Sequence, residues 1–366
     1  MKRDRSSCAS GRRRDIAQSG ARARLCSDLM AIQGTKRATR VTLRDVAERA
    51  GVSIATASYV LSGTDGEGAR YSDETAQRVR DAAADLQYRL NRMARSVRTG
   101  RTGVIQLVLH MLDDPWTLSI AEAFSERTPA QGWTTLIAMD SDFGTALARS
   151  EFDAAFVVAV GATDNTEWRD ELGPLARKVA VYSSVLDPDG FDVVRFDERG
   201  ASQIAMRHLL ERTSSVGCLT SIPESGQPEG SLRRQVYLES MREAGHEVPE
   251  GYVVEYERDL LDPYRAARVL LDRPDRPAAI FAEADFVAFA AVQTARELGL
   301  RVPEDVAVIG IGDSRQAEQA DISSVGARDM REKIVAFVLE RARDENTPVD
   351  RLLELEPTLF VRGSSR

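Results

Sequence analysis

Between residues 41 and 88 the apolar positions recur at helical spacing and predict three short helices. Thr42 followed by Asp45 has the form of a capping box, which predicts the start of the first helix. Gly51 interrupts that helix, and Ser53 can cap the second. Two short helices joined by a glycine-containing turn have the spacing of a helix-turn-helix, although any small three-helix domain would show a similar pattern.

After Gly103 the pattern changes to short apolar runs that alternate with helical stretches. The runs lie at 104–109, 134–139, 154–160, 178–182, 216–222, 252–256, 278–282 and 306–311, and the main helical stretches at 117–131, 199–212, 231–245, 262–272 and 284–298. Such alternation predicts parallel sheets covered by helices, and the length suffices for two lobes. In sheets of this kind a ligand binds beyond the carboxyl ends of the strands.

Charge divides the chain at the same point. The 366 residues carry a formal net charge of −8, yet residues 1–103 hold 21 Lys/Arg against 11 Asp/Glu, and residues 104–366 hold 28 against 46. A basic end is typical of proteins that bind nucleic acid or acidic lipid. Most of the excess lies in residues 1–40, which we interpret as a disordered basic arm or as the product of a start codon assigned too early, with Met30 as an alternative start.

Several classes of protein are excluded by what the sequence lacks. No apolar stretch approaches the roughly 20 residues of a membrane helix, and the N-terminal residues lack the apolar segment that a secretory signal peptide contains. The cysteines and histidines are too scattered to predict a disulfide or a metal site; they are Cys8, Cys26, Cys218, His110, His208 and His246. Neither a nucleophile elbow nor a cofactor fingerprint is present, so we expect a cytoplasmic, nucleoid-associated protein that is not an enzyme and needs no cofactor or metal.

The motifs resemble those of the lac repressor and galactose repressor family of bacterial transcription regulators. The resemblance rests on VTLRDVAERAGVSIATASYVLSG at 41–63, YSDETAQRVRDAAADLQYRLNRMARSVRTGRTGVI at 71–105, DERGASQIAMRHLLE at 197–211, AIFAEADFVAFAA at 279–291 and RELGLRVPEDVAVIGIGD at 296–313. It implies an all-α helix-turn-helix head at 41–88, a hinge helix and linker at 89–102, and an α/β effector-binding and dimerisation domain at 103–366. That domain would have two lobes with parallel sheets, similar to periplasmic binding proteins.

In the head, the resemblance places the second helix in the major groove of DNA. Ile54, Ala55 and Tyr59 would then reach base edges, with Tyr59 standing where relatives usually have Arg or His. Packing within the head is the alternative role for these three. Ser53, Thr56 and Ser58 are candidates for phosphate contacts, to which Arg44 and Arg89 would add charge.

The segment from Asn91 to Arg98 resembles the family hinge helix, which binds the minor groove. Asn91, Ala94 and Arg95 are its further candidate contacts. Val97 occupies the position of the apolar wedge that unstacks a base step and kinks the duplex.

Five residues match the positions at which the family grips a polar effector. They are Asp114, Trp116, Arg233, Asp285 and Asp313. Arginine donates in a planar fork and carboxylates accept from hydroxyls, which suits a polyhydroxylated ligand such as a sugar. The chain departs from the family at neighbouring positions: Ala284 replaces an Asn or Gly, Gly312 replaces one member of an acidic pair, Glu198 replaces an Asn, and Arg258 falls near an often aromatic position.

The sequence therefore predicts a regulator, and by this resemblance a repressor, that binds a pseudo-palindromic double-stranded DNA operator as a homodimer and responds to a small polar effector. An effector other than a sugar, or no effector, remains open because of those departures. Two further alternatives are a sugar-binding module without a DNA role, which leaves residues 41–102 unexplained, and an enzyme on the same core, which neither paired catalytic carboxylates nor a cofactor fingerprint supports.

Overall fold

The computed structural model describes residues 41–62, 71–88, 100–109, 114–139, 142–158, 167–222, 231–257, 261–344 and 346–366. The chain divides into two compact units between Arg92 and Met93.

The described part of the first unit, residues 41–62 and 71–88, is called the head here and contains three helices: α1 Leu43–Ala50, α2 Ile54–Ser62 and α3 Asp73–Asp85. The capping box predicted at Thr42 is present, because the Thr42 amide donates to Asp45 Oδ2 at 2.7 Å and the Asp45 amide donates to Thr42 Oγ1 at 3.4 Å. Gly51 ends α1 at φ 65°, in the left-handed region that glycine tolerates. The Thr56 amide donates to Ser53 Oγ at 3.0 Å and so caps the start of α2.

Small side chains fill the core of the head and allow the three helices to pack closely. The buried residues are Val46, Ala47, Ala50, Ala57, Val60, Ala76, Val79, Ala82 and Ala83. Their helical spacing is the one that the sequence predicts, so this core follows from local periodicity alone.

The second unit contains two six-stranded sheets with helices packed around them. Its described strands are β1 Val104–Leu109, β2 Thr134–Met139, β3 Ala154–Val158, β4 Val179–Tyr182, β5 Asp192–Phe196, β6 Val216–Ser221, β7 Val253–Tyr256, β8 Ala279–Ala282, β9 Ala307–Ile311, β10 Ser323–Ala327, β11 Leu352–Leu355 and β12 Pro357–Phe360. Its described α-helices are α4 Pro115–Arg127, α5 Phe143–Ala148, α6 Glu167–Leu172, α7 Glu198–Leu210, α8 Leu232–Glu243, α9 Asp262–Leu271, α10 Asp285–Glu297, α11 Arg315–Gln319 and α12 Met330–Arg343.

The sheet with strand order β11-β5-β4-β3-β1-β2 forms the first lobe, and the sheet with order β12-β10-β9-β8-β6-β7 forms the second lobe. Every described pairing is parallel except that of β10 with β12. The chain passes between the lobes three times: from β5 into α7, from β10 into α12, and from β11 into β12.

This architecture confirms the predicted helical head and the α/β core of parallel sheets. Eight of the strands coincide with the eight predicted apolar runs, apart from small shifts at their ends; residues 159 and 160 of the predicted 154–160 run lie outside the described residues. The apolar pattern missed β5, β10, β11 and β12.

The described helices include none with the length and apolar content required to cross a bilayer. In the same part of the chain, no three His, Cys, Asp or Glu side chains are grouped as they would be around a metal ion.

Candidate DNA-binding face and effector cleft

The outer face of α2 presents an apolar and aromatic surface to solvent. Ile54 is 45% exposed and Tyr59 is 58% exposed, and Ala55 is exposed as well. The inner face carries Ala57 and Val60, which are buried in the head core. The helix therefore holds Ile54, Ala55 and Tyr59 outward on a rigid support, as side chains that read base edges must be held.

The hydroxyl residues at the start of α2 also serve the helix itself. Besides the cap on the Thr56 amide, Ser53 Oγ lies 2.9 Å from Thr56 Oγ1. Ser53 is exposed, and Thr56 and Ser58 are half-buried. Arg44, near the start of α1, is exposed too. Phosphate contact remains a prediction for these four residues.

The other predicted DNA contacts lie outside the described residues. They are Arg89, Asn91, Ala94, Arg95 and Val97.

In the second unit, residues at the carboxyl ends of several strands come together between the lobes; we call this region the cleft. Tyr182 ends β4 of the first lobe, and its ring centroid lies 4.8 Å from that of Trp116 at the start of α4. From the second lobe, Glu283 follows β8 and Gly312 follows β9. The position agrees with the rule for open parallel sheets.

Arg233, near the start of α8, is the positively charged member of this cluster among the described residues. Its Nη2 lies 3.4 Å from Glu198 Oε1 on α7, and its Nη1 donates to the carbonyl oxygen of Glu283. Burial opposes the charge of Arg233, but Glu198 and then Glu283 outweigh it and raise the pKa of the guanidinium. Arg233 is thus a permanent cation that already has an acidic partner.

Tyr182 lies in the same electrostatic environment. Burial, reinforced by the negative charge of Glu198, raises the pKa of the Tyr182 phenol. The hydroxyl therefore stays neutral at physiological pH and can donate a hydrogen bond to a ligand.

Glu283 is a buried carboxyl group that the sequence reasoning missed. Four donors converge on it: Thr220 Oγ1 at 2.9 Å, the Ser221 amide at 2.6 Å, Ser231 Oγ at 3.0 Å and the Tyr256 hydroxyl at 2.6 Å. Such a set satisfies an ionised carboxylate, and it ties β6, β7 and the start of α8 to the end of β8. The sequence signal was an acid directly after the buried strand β8, two residues before Asp285.

Asp285 begins α10 and is buried. Ser324 Oγ on β10 donates to its Oδ1 at 2.6 Å, and the Ser314 amide donates to its Oδ2 at 2.6 Å. Burial raises the pKa of this carboxyl to about 6, although the two serines oppose the shift. The group predicted to grip an effector therefore also joins α10, α11 and β10.

We expect Asp285→Asn to remove a pH dependence from the stability of the second unit. The folded pKa of about 6 lies above the ordinary pKa of 3.8 for an aspartate, so the fold favours the protonated acid, and this stabilising contribution is lost as the pH rises through 6. Urea unfolding should show that the free energy of unfolding of the wild type falls by about 2 kcal/mol, relative to that of the Asn variant, between pH 4.5 and pH 7.5. A constant difference across that range would contradict the assignment.

Asp305→Asn provides the control for that measurement. Asp305 is half-buried, and hydrogen bonds from Arg301 lower the pKa of its carboxyl to about 2. Since the stabilisation it contributes is lost only as the pH falls through 2, the difference between wild type and Asp305→Asn should stay flat from pH 4.5 to pH 7.5.

Asp114 and Trp116 form the start of α4, which faces the second lobe. Asp114 caps the helix by accepting from the Trp116 amide at 3.1 Å and the Thr117 amide at 3.2 Å. A Cβ built on Gly312 would lie 3.5 Å from Trp116 Cδ1 and 3.3 Å from Asp285 Oδ2, and Gly312 has φ 130°. The glycine thus lets Trp116 approach the start of α10, and the structure brings Trp116, Arg233 and Asp285 to the cleft region.

Asp313 is held by an ion pair within the second lobe. Arg362 Nη2 donates to its Oδ1 at 2.6 Å, and the Asp313 amide donates to Ser324 Oγ at 2.9 Å. These contacts attach the segment after β12 to the end of β9. Its predicted effector contact is not tested by them.

Comparison with known proteins matches both units. Residues 42–91 match the model of bacterial regulatory proteins of the lacI family, and residues 198–365 match a periplasmic binding protein-like domain. The chain is 29% identical over 342 residues to the transcriptional repressor PurR of Pectobacterium carotovorum, a match that covers 88% of this chain and 96% of the relative. The transcriptional regulator DegA of Bacillus subtilis is 29% identical over 291 residues, which is 77% of this chain and 84% of the relative.

Solved structures show the same fold. A complex of the transcriptional regulator CelR with cellobiose is 26% identical, with a TM-score of 0.56 over 89% of this chain and 100% of that one. The lac repressor dimer bound to operator and an anti-inducer is 19% identical, with a TM-score of 0.66 over 89% of this chain and 99% of that one.

A helix-turn-helix head followed by a two-lobed binding domain defines a class of DNA-binding transcription regulators. Within that class, the chain combines a head that matches the lacI family of bacterial regulatory proteins with a periplasmic binding protein-like domain.

Proposed function

We propose that the protein represses transcription by binding a pseudo-palindromic operator as a homodimer, and that a small polyhydroxylated effector bound in the cleft alters its affinity for that operator. The observation that carries the DNA-binding part is the face of α2, which holds Ile54, Ala55 and Tyr59 outward from a buried core. An apolar and aromatic reading face suits contacts with thymine methyl groups more than a bidentate grip on guanine.

The homodimer would present two heads to two inverted half-sites. Exposed apolar side chains on the second unit offer surface for such an association. Leu136 and Met139 on β2 are exposed, as is Val269 on α9. A second copy of the chain is the partner that a two-fold symmetric operator requires.

The effector part of the proposal rests on the chemistry of the cleft. Trp116 and Tyr182 supply aromatic surface, Arg233 supplies a fork of donors and Asp285 supplies a carboxyl group. The neighbour CelR, solved as a complex with cellobiose, supports a carbohydrate in this role. A ligand that binds both lobes would favour one angle between them, and coupling through residues 89–102 would transmit the change to DNA affinity.

The test is selection of DNA from a random pool by the full chain, followed by footprinting on genomic DNA. We expect enrichment of two inverted half-sites, with an affinity that falls steeply as salt rises because bound phosphates release counterions. Absence of enrichment together with salt-independent binding would contradict the proposal. A thermal-shift screen of cellobiose and other sugars tests the effector part, which fails if no polyol stabilises the protein.

A further inference from the structure

Two Arg–Glu pairs link α7 to α8, and they differ in where they lie. Arg199 Nη1 on α7 pairs with Glu239 Oε2 on α8 at 2.6 Å, and both side chains are exposed. Glu198 on α7 pairs with Arg233 on α8 at 3.4 Å, with only 24% and 22% of the two side chains exposed. The second pair belongs to the cleft, since both members act on the phenol of Tyr182.

Acidic groups outnumber basic ones among the described residues of this cluster. Asp114, Glu198, Glu283 and Asp285 carry carboxyl groups; Arg233 carries the guanidinium that pairs with Glu198, and Arg331 donates to the carbonyl oxygen of Asp313 at 3.4 Å. The nearby Asp313 is matched by Arg362. Glu283 is satisfied by its four donors, so Glu198 is the carboxylate that directly occupies the guanidinium of Arg233.

We propose that Glu198 makes the cleft selective for neutral or amine-bearing polyhydroxylated ligands and closes it to phosphorylated or carboxylated ones. An anionic ligand needs a cation, and it would have to displace Glu198 from Arg233. Glu198 would then remain as an unpaired, three-quarters buried carboxylate beside a second negative charge, with Glu283 behind it. A hydroxyl or an ammonium group can instead donate to Glu198 and leave the Arg233 pair intact.

This inference deepens the effector part of the proposed function and names the ligand class that the cleft admits. It also gives Glu198 a role in specificity, because its carboxylate pairs with the guanidinium of Arg233 that would otherwise face a ligand.

The experiment is a titration of the full-length protein with inorganic phosphate. Binding is measured by isothermal calorimetry and by the melting temperature, and sodium chloride keeps the ionic strength constant. Wild type should show no saturable binding. Glu198→Gln removes the competing charge and keeps the shape, so phosphate should bind at least about 30-fold more tightly and raise the melting temperature by roughly 3 °C near saturation. Adding Arg233→Met to that variant should abolish the gain.

Glu239→Gln is the matched control, because it removes the acid of the exposed Arg–Glu pair between the same two helices. It should behave as wild type does. Glu198→Asn is a second variant that should also gain phosphate binding, should Glu198→Gln fold poorly. Saturable phosphate binding by wild type at this site, or no gain in either Glu198 variant beyond that of Glu239→Gln, would overturn the proposal.

Operator binding is read in a separate assay. The phosphate titration reports on the second unit whether or not the head recognises DNA, so failure here leaves the DNA-binding proposal standing. A failed operator selection would in turn leave the phosphate result interpretable.

Discussion

Replacing Arg341 by methionine should destabilise the second unit by about 3 kcal/mol and lower its melting temperature by roughly 8 °C. Arg341 on α12 and Asp192 at the start of β5 are almost entirely buried, with Arg341 Nη2 2.7 Å from Asp192 Oδ1. Arg341 also donates to the carbonyl oxygens of Thr347 and Pro348. Its loss leaves buried acceptors without a donor, which costs more than the pair itself contributes.

The loss of stability in Arg341→Met should lie near the lower end of the range for broken buried ion pairs, because a second cation remains beside Asp192. Arg351, just before β11, places Nη2 2.7 Å from Asp192 Oδ2, and its amide donates to Oδ1 at 3.1 Å. Hydrogen exchange should show that backbone amides lose protection first at β11, the edge strand that this cluster attaches to β5.

Arg301→Met is the matched control for Arg341→Met. Arg301 makes a similarly short pair with Asp305, at 2.7 Å, but its side chain is 71% exposed. Its loss should leave the free energy of unfolding almost unchanged, because exposed ion pairs contribute little to stability. Equal losses for the two variants would mean that the Arg341 cluster does not depend on burial.

The head was predictable from sequence because its determinants are local. Thr42 and Asp45 form a capping box within one turn, and the core residues repeat every three or four positions. The strands of the second unit with continuous apolar runs were predictable for the same reason. Where the local pattern of apolar residues agrees with their burial in the fold, a short stretch of sequence is enough to predict the helix or strand.

The four missed strands owe their stability to distant partners. On β10, Ser324 is buried because its hydroxyl donates to Asp285, and Ser323 because its hydroxyl donates to the carbonyl oxygen of Arg362. On β5, Asp192 can be buried because it forms ion pairs with two arginines about 150 positions further along the chain. Polar residues in such places resemble loop residues until the fold supplies their partners.

The cleft shows the same limit. Family resemblance pointed to Arg233 and Asp285, and both lie at the meeting of the lobes, but it could not show that each already has partners in the protein. Glu198 was recognised as a departure, whereas its pairing with Arg233 depends on how α7 packs against α8. The charge available to a ligand is thus a property of the fold, which residue types alone do not specify.

Tyr59→Ala should reduce affinity for the selected operator by roughly 100-fold, from about 1.4 kcal/mol lost at each of two half-sites. Affinity for random DNA should change little, because an exposed side chain on the outer face of α2 would contact bases and not phosphates. Tyr59→Phe separates the hydroxyl from the ring: full loss assigns the base contact to the hydroxyl, and full retention assigns it to the ring. With 58% of Tyr59 exposed, neither variant should disturb the head core, which circular dichroism will check.

Arg44→Ala is the contrasting variant, since an exposed arginine on α1 is expected to contact the backbone of the duplex. It should weaken binding to operator and to random DNA alike and reduce the slope of log affinity against log salt by about 1 for each head. Competition titrations at several salt concentrations measure both quantities for both variants. If Tyr59→Ala and Arg44→Ala lowered specific and random binding by the same factor, α2 would not be the element that reads the sequence, and specificity would have to come from residues 89–99.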